Sequence, residues 1–165
     1  MDTEAQFLKA FDEYADAIFK HCMFRVSDRD VAKDIVQDTF CRAWNHVARG
    51  GEVREYRPFL YKIATNLITD FYRKKKPVSL DELSDREMNS LSHDEREQRE
   101  NADEMRRVRR EIEKLPEKER AVVLMRYIDD LSPKEIAVVL GEKENAVSVR
   151  IHRAVEKLRD IFKEL

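Results

Sequence analysis

Residues 77–104, PVSLDELSDREMNSLSHDEREQRENADE, set the first limit on what this chain can fold into. They contain no aromatic residue, few aliphatics and no apolar periodicity, and carry 10 Asp/Glu against 3 Lys/Arg. Such a stretch cannot bury enough apolar surface to offset the entropy of ordering it. The apolar residues on its two sides must therefore build separate cores, from residues 1–76 and 105–165. Each is small for independent stability. The stretch reads as a flexible acidic linker with nascent helix toward its end; a solvated helix running into the following segment has the same composition. The flanks differ from it in charge. Residues 1–76 carry 14 Lys/Arg against 12 Asp/Glu, and residues 105–165 carry 15 against 12. The net charge of −2 thus hides two mildly basic segments around a strongly acidic one, and nucleic acid stays open as a partner.

With three glycines, four prolines and 40% charged residues, the expected class is all-α: two small helical domains joined by the acidic linker, the C-terminal one a helix-turn-helix. The sequence has no apolar run near the ~18 residues of a membrane span, so no membrane insertion is expected. The N-terminus, MDTEAQFLKAF, is acidic and amphipathic, unlike a signal peptide. Two cysteines, Cys22 and Cys41, make no disulfide framework, which fits a reducing cytoplasm.

In the first segment, Phe7, Phe11, Tyr14, Ile18 and Cys22 repeat at helical spacing over 4–26. Ser27, Asp28 and Asp30 resemble a cap opening a second helix over 28–47. Its apolar side is Ala32, Ile35, Val36, Phe40, Ala43 and Val47, with Trp44 at the edge. Its other side is Asp34, Gln37, Asp38, Cys41, Arg42 and Asn45. Ala48–Gly51 reads as a loop. A third helix follows over 58–76, with Pro58 expected at its first position and Pro77 beyond its end.

That third helix has an unusual polar face. Leu60, Ile63, Ala64, Leu67, Ile68 and Phe71 fall on one side, and Tyr61, Lys62, Thr65, Asn66, Thr69, Tyr72, Arg73 and Lys76 on the other, with Lys74 and Lys75 extending the basic end. Cations hold phosphates, aromatic rings stack on unpaired bases and amides read base edges, so this face suits an opened nucleic-acid strand. A solvated amphipathic helix whose basic end is favoured by the helix dipole has the same pattern.

In the last segment, Met105, Val108, Ile112 and Leu115 mark a helix and Pro116 starts another, with Ala121, Leu124, Met125 and Ile128 expected inward. Ser132-Pro133-Lys134-Glu135 is a helix start with a capping serine, a first-position proline and a glutamate three residues after the cap. Ile136, Ala137 and Leu140 are expected to be buried, and Gly141 fits a left-handed C-terminal position. The final helix, expected over 144–162, turns Val147, Ile151, Ala154, Val155, Leu158 and Ile161 inward. Asn145, Val149, His152 and Arg153 turn outward, flanked by Ser148 and Arg150, with Lys157 further along. Two helices around a glycine turn match helix-turn-helix spacing, and Asn and Arg are the types that read adenine and guanine edges. Many helical hairpins share that outline.

Taken together, three motifs in order resemble bacterial sigma factors of the sigma-70 class, of the short extracytoplasmic-function (ECF) type. DIVQDTFCRAW (34–44) resembles the segment that binds core RNA polymerase. YRPFLYKIATNLITDFYRKKK (56–76) resembles the segments that melt and read the −10 promoter element. LPEKERAVVLMRYIDDLSPKEIAVVLGEKENAVSVRIHRAVEKLR (115–159) resembles the domain that reads the −35 element. The resemblance implies that Asp34, Gln37, Asp38, Cys41 and Asn45 meet core polymerase. It implies that Tyr61, Lys62, Thr65, Asn66, Thr69, Tyr72, Arg73, Lys74, Lys75 and Lys76 meet the −10 strand, with the two tyrosines stacking on bases. It implies that Asn145, Ser148, Val149, Arg150, His152, Arg153 and Lys157 meet −35 DNA, Arg150 and Lys157 toward phosphates. An anti-sigma factor is a further implied partner. The chain departs from the family where a Ser or Thr often caps the recognition helix after a small apolar residue: Glu142 and Lys143 stand there, and a poor cap costs about 1 kcal/mol. Ser148 stands where the family often has a basic residue.

No enzyme, cofactor or metal is expected. The sequence has no Gly-rich phosphate loop and no nucleophile elbow, and the spacing of His21, Cys22, Cys41 and His46 fits no common zinc site. A stand-alone helix-turn-helix regulator and a helical adaptor that binds no DNA are the alternatives.

Overall fold

The structure, a computed structural model, describes residues 2–75 and 97–163. It divides into two compact units, Met1–Ser90 and Leu91–Leu165, and the described residues are helical with no strand.

The first unit is three mutually packed helices, α1 (Thr3–Val26), α2 (Arg29–Ala48) and α3 (Tyr56–Lys74). Local chemistry sets their ends. Asp2 caps α1 by accepting from the Glu4 amide at 3.1 Å. Asp28 caps α2 by accepting from Asp30 and Val31. Ser27, expected as part of that cap, instead ends α1 in the left-handed conformation, φ 53°. This is what lets two long helices turn back on each other across two residues. Pro58 lies at the third position of α3 rather than the first; the missing N–H is harmless there as well, because the first four amides of a helix have no internal partner. The core is Ile18, Cys22, Ile35, Phe40, Ala43, Leu60, Ala64, Leu67 and Ile68 with their neighbours. Phe7 and Phe11 pack edge-on against Phe40 at 6.3 and 4.8 Å.

The second unit holds α4 (Glu97–Glu113), α5 (Glu117–Val123) continuing into a π-helical turn (Leu124–Ile128), α6 (Pro133–Leu140) and α7 (Glu144–Lys163). Helix α4 begins inside the stretch read as acidic linker. It carries opposite charges three and four residues apart, Arg106 with Asp103 at 3.6 Å and Arg109 with Glu113 at 3.7 Å. Such pairs add to helix stability; the apolar repeat begins only at Met105, so a search for apolar periodicity starts the element late. The remainder of the linker reading, 77–96, lies outside the described residues, as does Pro77. The core joins Ile112, Leu115, Val123 and Ala154, with Val108, Leu124 and Leu158 against them. Val122, Val123 and Met125 are buried, while Ala121, Leu124 and Ile128 are half-buried. Packing shifts that face: α5 is covered by both α4 and α7. Beyond Val123 the π turn inserts a residue, closed by Asp129 N–H donating to the Leu124 carbonyl at 3.0 Å. The Ser132–Glu135 capping box is complete, both bonds being 3.1 Å. Gly141 has φ 67°. Its N–H donates to the Val138 carbonyl, and the Glu142 N–H to that of Ala137, a full Schellman motif.

Candidate nucleic-acid interface

On α2, Asp34, Gln37, Asp38, Cys41 and Asn45 are all exposed. Steps of three and four residues hold them on one face, while Ile35, Ala43 and Val47 anchor the opposite side in the core. Trp44 borders the stripe, its ring 5.1 Å from that of Phe7. The result is an acidic and amide surface on a rigid helix.

On α3, Lys62, Asn66, Thr69, Arg73, Lys74 and Lys75 are exposed and Thr65 is half-buried; Lys76 lies outside the described residues. Lys62, Asn66, Thr69 and Arg73 fall within about 60° of arc and form the centre of the face. Two hydroxyls are committed internally. Thr69 donates to the Thr65 carbonyl at 3.0 Å, and the Thr65 hydroxyl lies 3.3 Å from Nε2 of His21. Tyr72 donates its hydroxyl to the Arg25 carbonyl at the end of α1, packs edge-on to Phe71 and is 39% exposed as a residue. The ammonium of Lys75 lies over the Phe71 ring, 4.8 Å from its centre.

Tyr61 corrects the sequence reading. It is 2% exposed, with its ring edge-on to buried His21 at 4.9 Å, and so offers no face to a base. Position 61 lies only about 20° around the helix from Ile68, at the margin of the apolar stripe. At a margin the neighbouring helix decides, and α1 brings His21 there. His21 itself was missed as a wall of this site, although it lies three residues after Ile18 on the inward stripe of α1.

On α7, Asn145, Ser148, Val149, His152 and Arg153 are exposed, and Val147 and Ala154 are buried beneath them. Val149 leaves half its surface to solvent. His152 lies 3.1 Å from Glu156. Arg150 is half-buried, with Nη1 2.8 Å from Oε2 of Glu142. The Lys157 ammonium is 2.9 Å from each carboxylate oxygen of Glu119 on α5. The two cations expected at phosphates are thus already matched with carboxylates. Glu142 stands out in the sequence only as a departure at the helix cap, and Glu119 not at all, because the pairs join residues 8 and 38 positions apart and no local spacing reveals the longer one.

Among the described residues no group of three or more His, Cys, Asp or Glu could hold a metal ion, and no helix is long and apolar enough to cross a membrane.

These faces can be set beside known proteins. Residues 10–78 match the Sigma-70 region 2 family and residues 105–158 the Sigma-70, region 4 family. The first match contains α2 and α3, the second α5, α6 and α7 as far as Leu158. The chain is 33% identical to the ECF RNA polymerase sigma factor SigW of Bacillus subtilis, over 96% of this chain and 90% of that one. It is 29% identical to the ECF sigma factor SigL of Mycobacterium tuberculosis, over 98% and 92%. Among solved structures it resembles CnrH, determined in complex with the cytosolic domain of CnrY, with a TM-score of 0.70 and 26% identity over 98% of this chain and 90% of that one. The fold also matches RpoE of Bartonella quintana, determined with the anti-sigma factor NepR, with a TM-score of 0.64 and 17% identity over 96% and 97%. Both regions occur in one chain, in the same order and over nearly the full length of these relatives. The chain therefore belongs to the ECF branch of the sigma-70 family of RNA polymerase sigma factors.

Proposed function

We propose that this chain directs promoter-specific initiation by bacterial core RNA polymerase through three faces, each with its own chemistry. Asp34, Gln37, Asp38, Cys41 and Asn45 form the polymerase-binding stripe. Two carboxylates one helical turn apart favour a cationic partner surface and disfavour an acidic one. The α3 face takes the non-template −10 strand. Asn66 presents both a donor and an acceptor to an unpaired base edge, and Lys62, Arg73, Lys74 and Lys75 follow the phosphates. The Tyr72 ring, held at its hydroxyl, stacks with little ordering left to be done. Helix α7 enters the major groove of the −35 element, with Asn145, Ser148, Arg153 and His152 toward hydrogen-bonding base edges and Val149 toward a thymine methyl. The polymerase makes the bonds; the chain supplies recognition, and it acts in the cytoplasm where the polymerase is.

The observation that carries this reading is the coincidence of each face with the matched region that calls for it: an exposed acidic stripe and a Lys/Asn/Arg strip in 10–78, and an exposed Asn/Arg helix face in 105–158. A multi-round transcription assay with bacterial core polymerase tests it, and initiation at a selected promoter is the expected result. Sequence-specific duplex binding with no effect on polymerase would point instead to a stand-alone regulator. An anti-sigma partner is supported by the relative solved with NepR; release of polymerase from the chain by such a protein would test it.

A further inference from the structure

Arg150 and Lys157 are seven residues apart on α7, about 20° from one another around the helix. They flank the inward stripe of buried Val147 and Ala154 and half-buried Leu158 rather than the outward face centred on Asn145, Val149 and Glu156. Each meets a carboxylate from a different element. Glu142 lies in the turn between α6 and α7, and its two functional groups hold the two helices. Its backbone N–H is fixed to α6 through the Ala137 carbonyl at 3.0 Å, and its carboxylate meets Arg150 on α7 at 2.8 Å. The side chains are largely covered, Arg150 21% and Glu142 31% exposed. Glu119 is more covered still, at 15%; its Oε1 accepts a hydrogen bond from the half-exposed Lys157 ammonium at 2.9 Å, and its Oε2 lies within ion-pair distance.

We propose that Arg150 and Lys157 are positioning residues that set the angle of the recognition helix on its own unit, through Glu142 and Glu119, and are not phosphate contacts. The inference rests on the −35 reading of α7. A cation already matched with a carboxylate displaces few counterions when a phosphate arrives, so it adds little to the salt dependence of DNA binding. The Glu142 pair also accounts for a departure from the family. Lys143 immediately precedes α7 and has no acceptor with which to cap it. The ion pair from the preceding residue ties the turn to the second turn of the helix and fixes the entry geometry by another route. The outward face is left to residues that read bases.

The test separates charge from position. The full chain is reconstituted with core polymerase and titrated onto a promoter duplex selected by the wild-type holoenzyme from a random library, across a range of KCl concentrations. The charge-neutral double variants Glu142→Gln/Arg150→Gln and Glu119→Gln/Lys157→Gln should keep the wild-type salt slope. Each phosphate contact truly lost would instead lower the slope by about 0.9, and that result in either double variant overturns the inference for its cation. The single variants Arg150→Gln and Lys157→Gln, each leaving a carboxylate unmatched, should unfold at lower temperature than their doubles; singles as stable as wild type would overturn the anchoring role. If a double variant does not fold, the corresponding single, measured below its transition, carries the same slope test. Arg153→Ala is the control. If it too leaves affinity and sequence preference unchanged, the −35 reading of α7 has failed, independently of the anchors.

Discussion

Tyr61→Ala distinguishes a base-stacking tyrosine from a core tyrosine, and the structure makes the outcome calculable. The side chain is 2% exposed and its ring meets His21 edge-on at 4.9 Å. Removing a buried aromatic ring costs about 3–5 kcal/mol. At roughly 0.05–0.15 kcal/mol per residue, a three-helix unit of this size holds only about 4–11 kcal/mol in total. The substitution therefore removes a large share of the stability of the first unit. Its transition should fall by about 4–8 °C for each kcal/mol lost. Tyr61→Phe keeps the ring and removes only the hydroxyl, a change of about 0.5–1.5 kcal/mol where that hydroxyl is hydrogen-bonded. Far-UV circular dichroism of the full chain measures both transitions, and amide hydrogen exchange in α1 and α3 locates them. Permanganate reactivity of −10 thymines is then read in holoenzyme well below the lower transition. The expected pattern is a large stability loss for Tyr61→Ala, a small one for Tyr61→Phe, and no melting defect beyond the fraction unfolded. An unchanged transition for Tyr61→Ala together with a selective loss of permanganate reactivity would refute the core assignment and return the ring to the strand.

Further outcomes follow from the other faces. Asp38→Arg should weaken association with core polymerase while leaving the unfolding transition in place, because the side chain is exposed; equal core binding at matched protein concentration would remove the α2 stripe from the account. Asn66→Ala should reduce open-complex formation and be partly rescued by a promoter pre-opened with mismatches, whereas a pure stability effect would show no such rescue. Arg153→Ala should cost about 1–3 kcal/mol and relax preference at one −35 position if it makes a bidentate base contact, read by competition among single-base variants of the duplex. Ser132→Ala removes one half of the capping box and should lower the stability of the second unit by about 1 kcal/mol, seen in thermal unfolding without a change in sequence preference.

What could be read from sequence was whatever depends on local spacing. The stripe from Asp34 to Asn45, the Ser132 capping box, the left-handed Gly141 and the outward face of α7 each follow from periodicity or from a residue type suited to one backbone conformation. They emerge in the structure at the expected residues. The start of α4 was legible only as nascent helix toward the end of the linker, because the apolar repeat begins eight residues into the element, at Met105. The inward face of α5 was not legible, because α4 and α7 both pack against it and bury Val122 and Val123.

The site residues divide along the same line. A helical wheel assigns Lys62, Asn66 and Arg73 correctly to the polar face because they lie at its centre, where no neighbouring helix reaches. Tyr61, Arg150 and Lys157 lie at margins, and at a margin the sequence of one helix does not decide between solvent and contact. His21 on α1 decides for Tyr61, Glu142 in the turn for Arg150 and Glu119 on α5 for Lys157. Their fates therefore depend on tertiary packing. The same division has a functional consequence. Side chains at the centre of a face are those a strand or duplex can reach without disturbing the fold. Those at its margins hold the helix that presents them, so substitutions there alter recognition through geometry rather than through lost contacts.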